Sequence, residues 1–269
     1  MQINPFLIFK KLWCNKELIK SFSKREVISK YKGSFLGILW SFITPLLMLI
    51  VYTFVFSEVF KAKWSTGSGS KIEFAIIIFC GLLTFSIFGD VISRAPSLIL
   101  SNTNYVKKVV FPLEILPVVA LCSALINSFI SLGILIICIG IFMGTIHWTL
   151  IFVPVVLCPL MFLSVGLGWL LSSLGVYLRD IAQIVTIAVQ ALMLLTPIFY
   201  PTTLIPQNLL FLYYLNPVGY VVEDMRKVII WGKFPDWSSW GIEMLIGVVI
   251  FYLGYVWFQK TRAGFADVI

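Results

Sequence analysis

Charged residues are scarce in this sequence, and their scarcity excludes an ordinary soluble domain. Asp, Glu, Lys and Arg make up 12% of the 269 residues, against 60% hydrophobic residues, whereas a soluble domain carries roughly 25% charged residues. Three long stretches contain no charge at all: residues 33–57, 115–178 and 181–222. Because about 20 apolar residues are enough to cross a bilayer as a helix, these stretches predict several transmembrane helices.

Further absences exclude other classes of protein. The chain has no GxxxxGK[ST] motif, and GSGSK at 67–71 lacks its spacing, so we do not expect ATP to bind this chain through a P-loop. The one histidine, His147, lies in a predicted turn without catalytic partners, and the five cysteines lack the spacing of metal ligands. We therefore predict neither an enzyme nor a metal site, and no cofactor on this chain.

The apolar segments that are present predict an all-α integral membrane protein with six transmembrane helices. Helices are expected because a backbone in lipid must satisfy its own hydrogen bonds. The predicted spans are about 36–59, 74–93, 113–142, 149–177, 181–197 and 240–258. They divide the chain into an N-terminal amphipathic interface segment at 1–35, a six-span membrane domain at 36–258 and a cytoplasmic tail at 259–269.

The positive charges predict how the chain is oriented. If both termini lie in the cytoplasm, 14 of the 20 Lys and Arg residues fall on the cytoplasmic side, as is typical of membrane proteins. Topology thus explains the net charge of +8, and we expect no nucleic-acid partner. Within the spans, Asp90 and Arg94 are spaced to pair on one helix face near its cytoplasmic end. We identify no ionisable group at mid-depth, which argues against an ion-coupled carrier.

A basic segment precedes the first predicted span. Residues 4–30 place apolar and lysine side chains at helical spacing, which predicts an amphipathic helix in the membrane interface; a solvated basic arm is the alternative. The segment leads into YKGSFLGILWSFITPL at 31–46, where positive charge is followed by two glycines. Those glycines leave the backbone uncovered and allow a bend or a close helix contact.

Aromatic residues near the ends of two spans are candidates for a channel lining. Tyr52 and Phe56 share a face of the first predicted span, and Phe199 and Tyr200 follow the fifth. Aromatic rings combine an apolar face with, in tyrosine, a hydroxyl for polar partners. These residues therefore either line a channel or form an interfacial aromatic belt.

Prolines predict an irregular segment after the fifth span. Pro197 and Pro201 break that span, and Asn216 followed by Pro217 is a typical helix start. We predict two short helices within 198–230 that act as a lid on the outer side, with an ordinary surface loop as the alternative. The candidate gate residues are Pro197, Pro201, Tyr213, Tyr214, Asn216 and Pro217.

A polar stretch, SRAPSLILSNTNYVKKVVFP at 93–112, lies between the second and third spans. Asn102 or Asn104 can cap a short helix there, which Pro112 ends. A short cytoplasmic helix is what a permease needs to receive force from a separate motor, and an interfacial connector is the alternative. The candidate coupling residues are Asn104, Tyr105, Val106, Lys107 and Lys108.

Five motifs occur along the chain in a fixed order: YKGSFLGILWSFITPL at 31–46, NYVKKVVFPLEILPV at 104–118, YLRDIAQIV at 177–185, TPIFYP at 196–201 and LNPVGYVVEDMRKVI at 215–229. In this order they resemble the membrane subunit of ABC-2-type polysaccharide exporters, in particular the O-antigen export permeases of Gram-negative bacteria. The resemblance covers nearly the whole chain and is weakest in the first thirty residues and in the loop at 60–72.

The resemblance implies a permease homodimer around one channel in the bacterial inner membrane. It implies two copies of a separate nucleotide-binding ATPase, which carry ATP and Mg and dock on the coupling helix. The implied cargo is an O-antigen polysaccharide on an undecaprenyl-diphosphate anchor. The basic residues before the first span would then collect the anionic diphosphate at the channel entrance, although positive-inside anchoring explains them equally well. The entrance residues are Lys24, Arg25, Lys30, Lys32, Gly33 and Gly37.

Other functions remain open from the sequence. A related exporter for capsular polysaccharide, teichoic acid or a small drug would share these features. A non-transporting membrane scaffold for glycan-synthesis enzymes is the alternative from another class, and it predicts no ATPase partner.

Overall fold

The computed structural model describes residues 5–32, 34–52, 54–55, 71–107 and 111–269. Across these ranges the chain is all helical, as predicted, and contains no strand. The α-helices are α1 (Pro5–Cys14), α2 (Lys16–Tyr31), α3 (Trp40–Tyr52), α4 (Lys71–Arg94), α5 (Thr103–Lys107), α6 (Leu116–Phe142), α7 (Val153–Tyr177), α8 (Ile181–Leu195), α9 (Leu210–Tyr214), α10 (Pro217–Ile229), α11 (Trp237–Thr261) and α12 (Phe265–Val268).

Within the part of the chain that the structure describes, four helical segments are long and apolar enough to cross a membrane, so the chain is a multi-pass membrane protein. They are Ile72–Ser97, Leu113–Phe142, Trp148–Tyr177 and Trp237–Val268. They correspond to the predicted second, third, fourth and sixth spans. The helix of the sixth span is longer than expected and begins three residues earlier, because Asp236 caps it by accepting a hydrogen bond from the Ser238 backbone N–H at 3.1 Å.

The first and fifth predicted spans are shorter as helices. Helix α3 has 13 residues and α8 has 15. Fifteen residues measure about 22 Å, less than the roughly 30 Å of the hydrocarbon core. The end of the first predicted span, from residue 56, lies outside the described residues. Six spans therefore stay a prediction.

Helix α4 forms the centre of the bundle. In its most apolar window 83% of the residues are buried, and it packs against α6, α7, α8 and α10. The turn that follows α4 presses on α7, because a Cβ on Gly175 would lie 2.0 Å from the carbonyl oxygen of Pro96. Only glycine permits this contact.

Helices α7 and α11 make the most extensive helix pair of the described residues. Their backbones meet directly, since a Cβ on Gly254 would lie 2.0 Å from the carbonyl oxygen of Gly166. Small residues bring membrane helices close enough for van der Waals packing and thereby stabilise the pair. Beside this crossing Trp169 is fully buried and donates from Nε1 to the carbonyl of Glu114 at 2.8 Å.

The N-terminal segment is two helices and not the single amphipathic helix that the spacing predicted. The chain breaks at Asn15, whose Nδ2 donates to the Lys11 carbonyl at 2.8 Å, a local bond that competes with the helical ladder. Helix α1 docks through Ile8, which is 1% exposed, whereas Trp13 is 73% exposed. Helix α2 then packs along α6.

Helix α1 and the segment after α11 meet at the same end of the bundle. Arg262 donates from Nη1 to Oε2 of Glu114 at 2.8 Å, and Lys11 places its Nζ 4.0 Å from Oε1 of the same carboxylate. Glu114 itself is buried at the start of the third span. The predicted placement of both termini in the cytoplasm stays a prediction.

Candidate functional site

The predicted coupling segment contains a short helix, α5, held against α2. The Tyr105 hydroxyl accepts hydrogen bonds from both terminal nitrogens of Arg25 at 3.3 Å. The Tyr105 ring stacks on Phe111 at 4.6 Å and meets the edge of Phe22 at 5.6 Å. Three aromatic rings and one guanidinium therefore join α5 to the N-terminal segment.

The remaining coupling residues are placed as follows. Asn104 is exposed and Val106 is half-buried against the core. Lys107 ends α5, and Lys108 lies outside the described residues. Asn102 precedes the helix, but its side chain donates back to the Leu98 carbonyl at 2.9 Å. It therefore does not make the capping contact that was predicted for it.

A charge-matched ladder joins α2 to the end of α4. Arg94 pairs with Glu26, and Lys30 Nζ lies 3.7 Å from Asp90 Oδ2. The predicted pair between Asp90 and Arg94 is therefore wrong. Both side chains reach across to α2, which runs antiparallel to α4 and presents the opposite charges at the same four-residue spacing.

The predicted entrance residues divide into two groups. Arg25 also lies over the Phe22 ring at 4.5 Å, so it and Lys30 are engaged within the protein. Lys24 and Lys32 are exposed. Gly37 has φ +52°, a conformation that glycine adopts without strain, and Gly33 lies outside the described residues.

Two of the predicted channel aromatics meet in the structure. The rings of Tyr52 and Phe199 lie 6.2 Å apart, and Tyr52 lines a groove of about 360 Å³ between α3, α4, α6 and α8. Tyr200 instead folds back and donates to the carbonyls of Leu194 and Leu195 at the end of α8. Phe56 lies outside the described residues.

The predicted helix start at Asn216 is confirmed. Its side-chain oxygen accepts from the Val218 backbone N–H at 3.1 Å, and Pro217 occupies the first turn. The same amide donates to the Thr196 hydroxyl at 2.8 Å. Asn216 thus fixes the start of α10 to the end of α8.

Tyrosines pack around that junction. Tyr213 lies 5.0 Å from the Tyr220 ring, and burial raises the pKa of Tyr213. Tyr214 is 63% exposed, while Pro197 is buried and Pro201 is half-buried.

Helix α10 is not a lid lying on the surface. Nine of its 13 residues are buried, and it packs against α4 and α7. The predicted surface position of α10 is wrong because Arg226, in this helix, is 0% exposed and bonds to the interior. Its guanidinium donates to the carbonyls of Pro197 at 2.7 Å and Ile198 at 2.8 Å, groups that the broken end of the fifth span leaves without helical partners.

Two buried charges escaped the sequence analysis. Arg226 lies within the segment 198–230 that the sequence predicts on the outer side, and Glu243, which is 6% exposed in α11, lies within the predicted sixth span. The signal available for Glu243 was its position inside an apolar stretch, where an ionisable residue is expensive and usually functional. For Arg226 one sequence cannot distinguish a buried from a solvated face.

These features define a polytopic helical membrane protein with a short helix clamped beside its N-terminal segment and a buried helix packed behind a broken span. The chain belongs to the ABC-2 type transporter family, which it matches over residues 17–230. The resemblance inferred from the motifs is thus confirmed.

Relatives align along almost the whole chain. The sequence is 26% identical over 265 residues to the O-antigen export system permease protein RfbA of Myxococcus xanthus, covering 97% of this chain and 99% of the relative. It is 20% identical over 254 residues to the protein of the same name in Klebsiella pneumoniae, covering 94% and 95%. It is 23% identical over 252 residues to the polysialic acid transport protein KpsM of Escherichia coli, covering 92% and 94%.

Proposed function

We propose that this chain is the membrane subunit of an ATP-driven exporter of O-antigen polysaccharide. Two copies form a channel in the bacterial inner membrane, and the cargo crosses from cytoplasm to periplasm on an undecaprenyl-diphosphate anchor. ATP and Mg bind a separate ATPase subunit, one per permease. The observation that carries the proposal is the full-length similarity to relatives named as O-antigen export permeases.

The coupling helix is the proposed docking point for the ATPase. The geometry of α5 supports this role, because its ring contacts and the Arg25 hydrogen bonds attach it to α2. The charge ladder attaches α2 in turn to α4. A displacement of α5 would thereby be transmitted to α4, the central helix of the bundle.

Co-purification tests the proposal. We would tag the C-terminus of the full chain, solubilise native membranes gently and identify the proteins that remain bound, for wild type and for a variant with Lys107→Glu and Lys108→Glu. A matched control carries Lys16→Glu and Lys20→Glu, two exposed lysines of α2 with the same total change of charge. We expect a stoichiometric ATPase with wild type and control and its loss from the coupling variant.

Two results would contradict the proposal. Failure to recover an ATPase under any solubilisation condition would favour a non-transporting scaffold. An ATPase that the coupling variant retained as well as the control would leave the exporter intact but would remove the docking role of the α5 segment.

At the entrance, we propose that Lys24 and Lys32 attract the lipid diphosphate. All four cations there are exposed, but Arg25 and Lys30 contact Tyr105 and Asp90 within the protein. Each basic residue near an anionic surface contributes about 1 kcal/mol. Replacing both lysines with glutamine should lower export while membrane insertion stays normal. Unchanged export would leave only an anchoring role.

Capsular polysaccharide is the second candidate cargo, favoured by the similarity to the polysialic acid transport protein. Deleting the gene and analysing which surface glycan disappears distinguishes the two. Loss of the lipopolysaccharide side chain with an intact capsule supports O-antigen, and the reverse result supports capsule.

A further inference from the structure

A cavity of about 410 Å³ lies between α7, α8, α10 and α11. Along α11 its lining runs from Ser239 to Ile250, a distance of about 16 Å at the rise of an α-helix. The lining changes character along this distance. Ser239 and Glu243 come from the first two turns of α11, whereas its deeper contributions, Ile246 and Ile250, are apolar.

Glu243 is the buried acidic group of this cavity. It is 6% exposed, and its Oε1 atom is buried without a hydrogen bond. Burial and the acidic neighbours Asp224 and Asp236 disfavour a negative charge on this carboxyl group, whereas Lys227 and any bound cation favour it. Lys227 is already committed, since its Nζ donates to Asp224 Oδ1 at 2.8 Å. Burying a carboxyl group without a partner costs free energy, so a ligand that donates a hydrogen bond or carries positive charge would stabilise this site.

The chemistry of the lining selects the ligand. An elongated apolar cavity suits an aliphatic chain, and Glu243, with two acidic neighbours, suits a cationic head group that carries N–H donors. A sugar would need more polar partners than the four among the fourteen lining residues: Tyr214, Tyr220, Ser239 and Glu243. The rim is open to the surface, because Ile242 is 60% exposed and Tyr214 is 63% exposed.

We propose that this cavity binds one acyl chain of a phospholipid with a primary-ammonium head group, and that Glu243 accepts a hydrogen bond from the ammonium. An anionic phospholipid lacks the ammonium donor and would place a further negative charge near Glu243 and Asp236, whereas the charge of Asp224 is offset by Lys227. The site rests on the membrane location of the chain and does not depend on which cargo is exported.

Lipid retention by the full chain tests this directly. The purified protein is incubated in detergent with phosphatidylethanolamine, phosphatidylcholine or phosphatidylglycerol, all with identical acyl chains, and bound lipid is measured by native mass spectrometry. We expect phosphatidylethanolamine to bind about tenfold more tightly than phosphatidylglycerol, as one charge-assisted hydrogen bond provides. Phosphatidylcholine, which keeps the charge but has no N–H donor, should fall between them.

Three variants separate the head-group contact from the apolar contact. Glu243→Gln should bring the preference for phosphatidylethanolamine over phosphatidylglycerol to within about twofold, since a neutral amide no longer discriminates the charges. Ile246→Phe narrows the cavity and should weaken retention of all three lipids. Leu245→Phe is the matched control, because Leu245 is 67% exposed and does not line the cavity.

The possible failures are distinct. Equal binding of phosphatidylethanolamine and phosphatidylglycerol by wild type, or a preference that survives Glu243→Gln, would overturn the head-group assignment. Equal effects of Ile246→Phe and Leu245→Phe would overturn the cavity as the binding place. Should Glu243→Gln fail to fold, the wild-type lipid series and the two phenylalanine variants still decide the proposal.

Discussion

Replacing Arg226 with methionine should destabilise the protein more than any single surface change. The guanidinium is fully buried and donates to the carbonyls of Ile77, Pro197 and Ile198 and to the Glu223 carboxylate. Methionine fills a similar volume but has no donor, so it leaves these acceptors unsatisfied. Removing one partner of a buried ionic network costs about 3–5 kcal/mol. For a chain of this size that corresponds to a melting temperature lower by on the order of 10 °C.

Thermal unfolding of the detergent-solubilised full chain measures this effect. Tryptophan fluorescence is a suitable signal, because Trp169 is fully buried in the core. Lys233→Met is the matched control, since Lys233 is an exposed cation just after α10, and its melting temperature should change little. Arg226→Lys should give an intermediate result because lysine keeps the charge but not the planar set of donors. A melting temperature for Arg226→Met within about 2 °C of the Lys233→Met control would show that the buried hydrogen bonds of the guanidinium contribute little to stability.

Three further predictions concern helix contacts elsewhere in the bundle. Gly254→Ala should prevent the close approach of α7 and α11 and lower the melting temperature by several degrees, whereas Gly241→Ala, with open space around it, should not; equal effects would contradict the packing argument. Asn216→Ala removes a helix cap and should cost about 1 kcal/mol or more, measured in the same unfolding assay, and a change smaller than a few tenths would show that the cap contributes little. Glu26→Arg combined with Arg94→Glu should restore part of the export that either single change loses, and a double-mutant cycle without coupling would disprove the ladder.

The charge ladder between α2 and α4 bears on the proposed coupling through α5. Its four charges lie on two helices that belong to different predicted segments, the interface segment and the second span. The four side chains are between 24% and 50% exposed, so screening by solvent reduces the free energy of each pair. The four charges nevertheless pair α2 with α4 in one register, as the proposed transmission of a movement from α5 requires.

The sequence predicted the class and most helices of the fold, because the apolar runs report directly on the solvent around the chain. The turn after the third span and the one at Arg179 and Asp180 lie where glycine and charge interrupt those runs. The cap at Asn216 was also predictable, since an N-cap followed by proline is a local signal. The order of the motifs also identified the family. Each motif is short and contiguous, so it can be recognised in a single sequence.

The sequence alone could not determine which charged side chains are buried or which residues they pair with. Asp90 and Arg94 are neighbours along the helix, yet each pairs with α2, because inter-helix geometry brings those carboxylates and cations closer. Arg226 and Glu243 lie inside the bundle because α10 packs against α4, and α11 packs against α7 and α10. Local sequence thus determines where most helices begin and end, whereas the pairing of distant charges follows from the packing of whole helices and is decided by the tertiary structure alone.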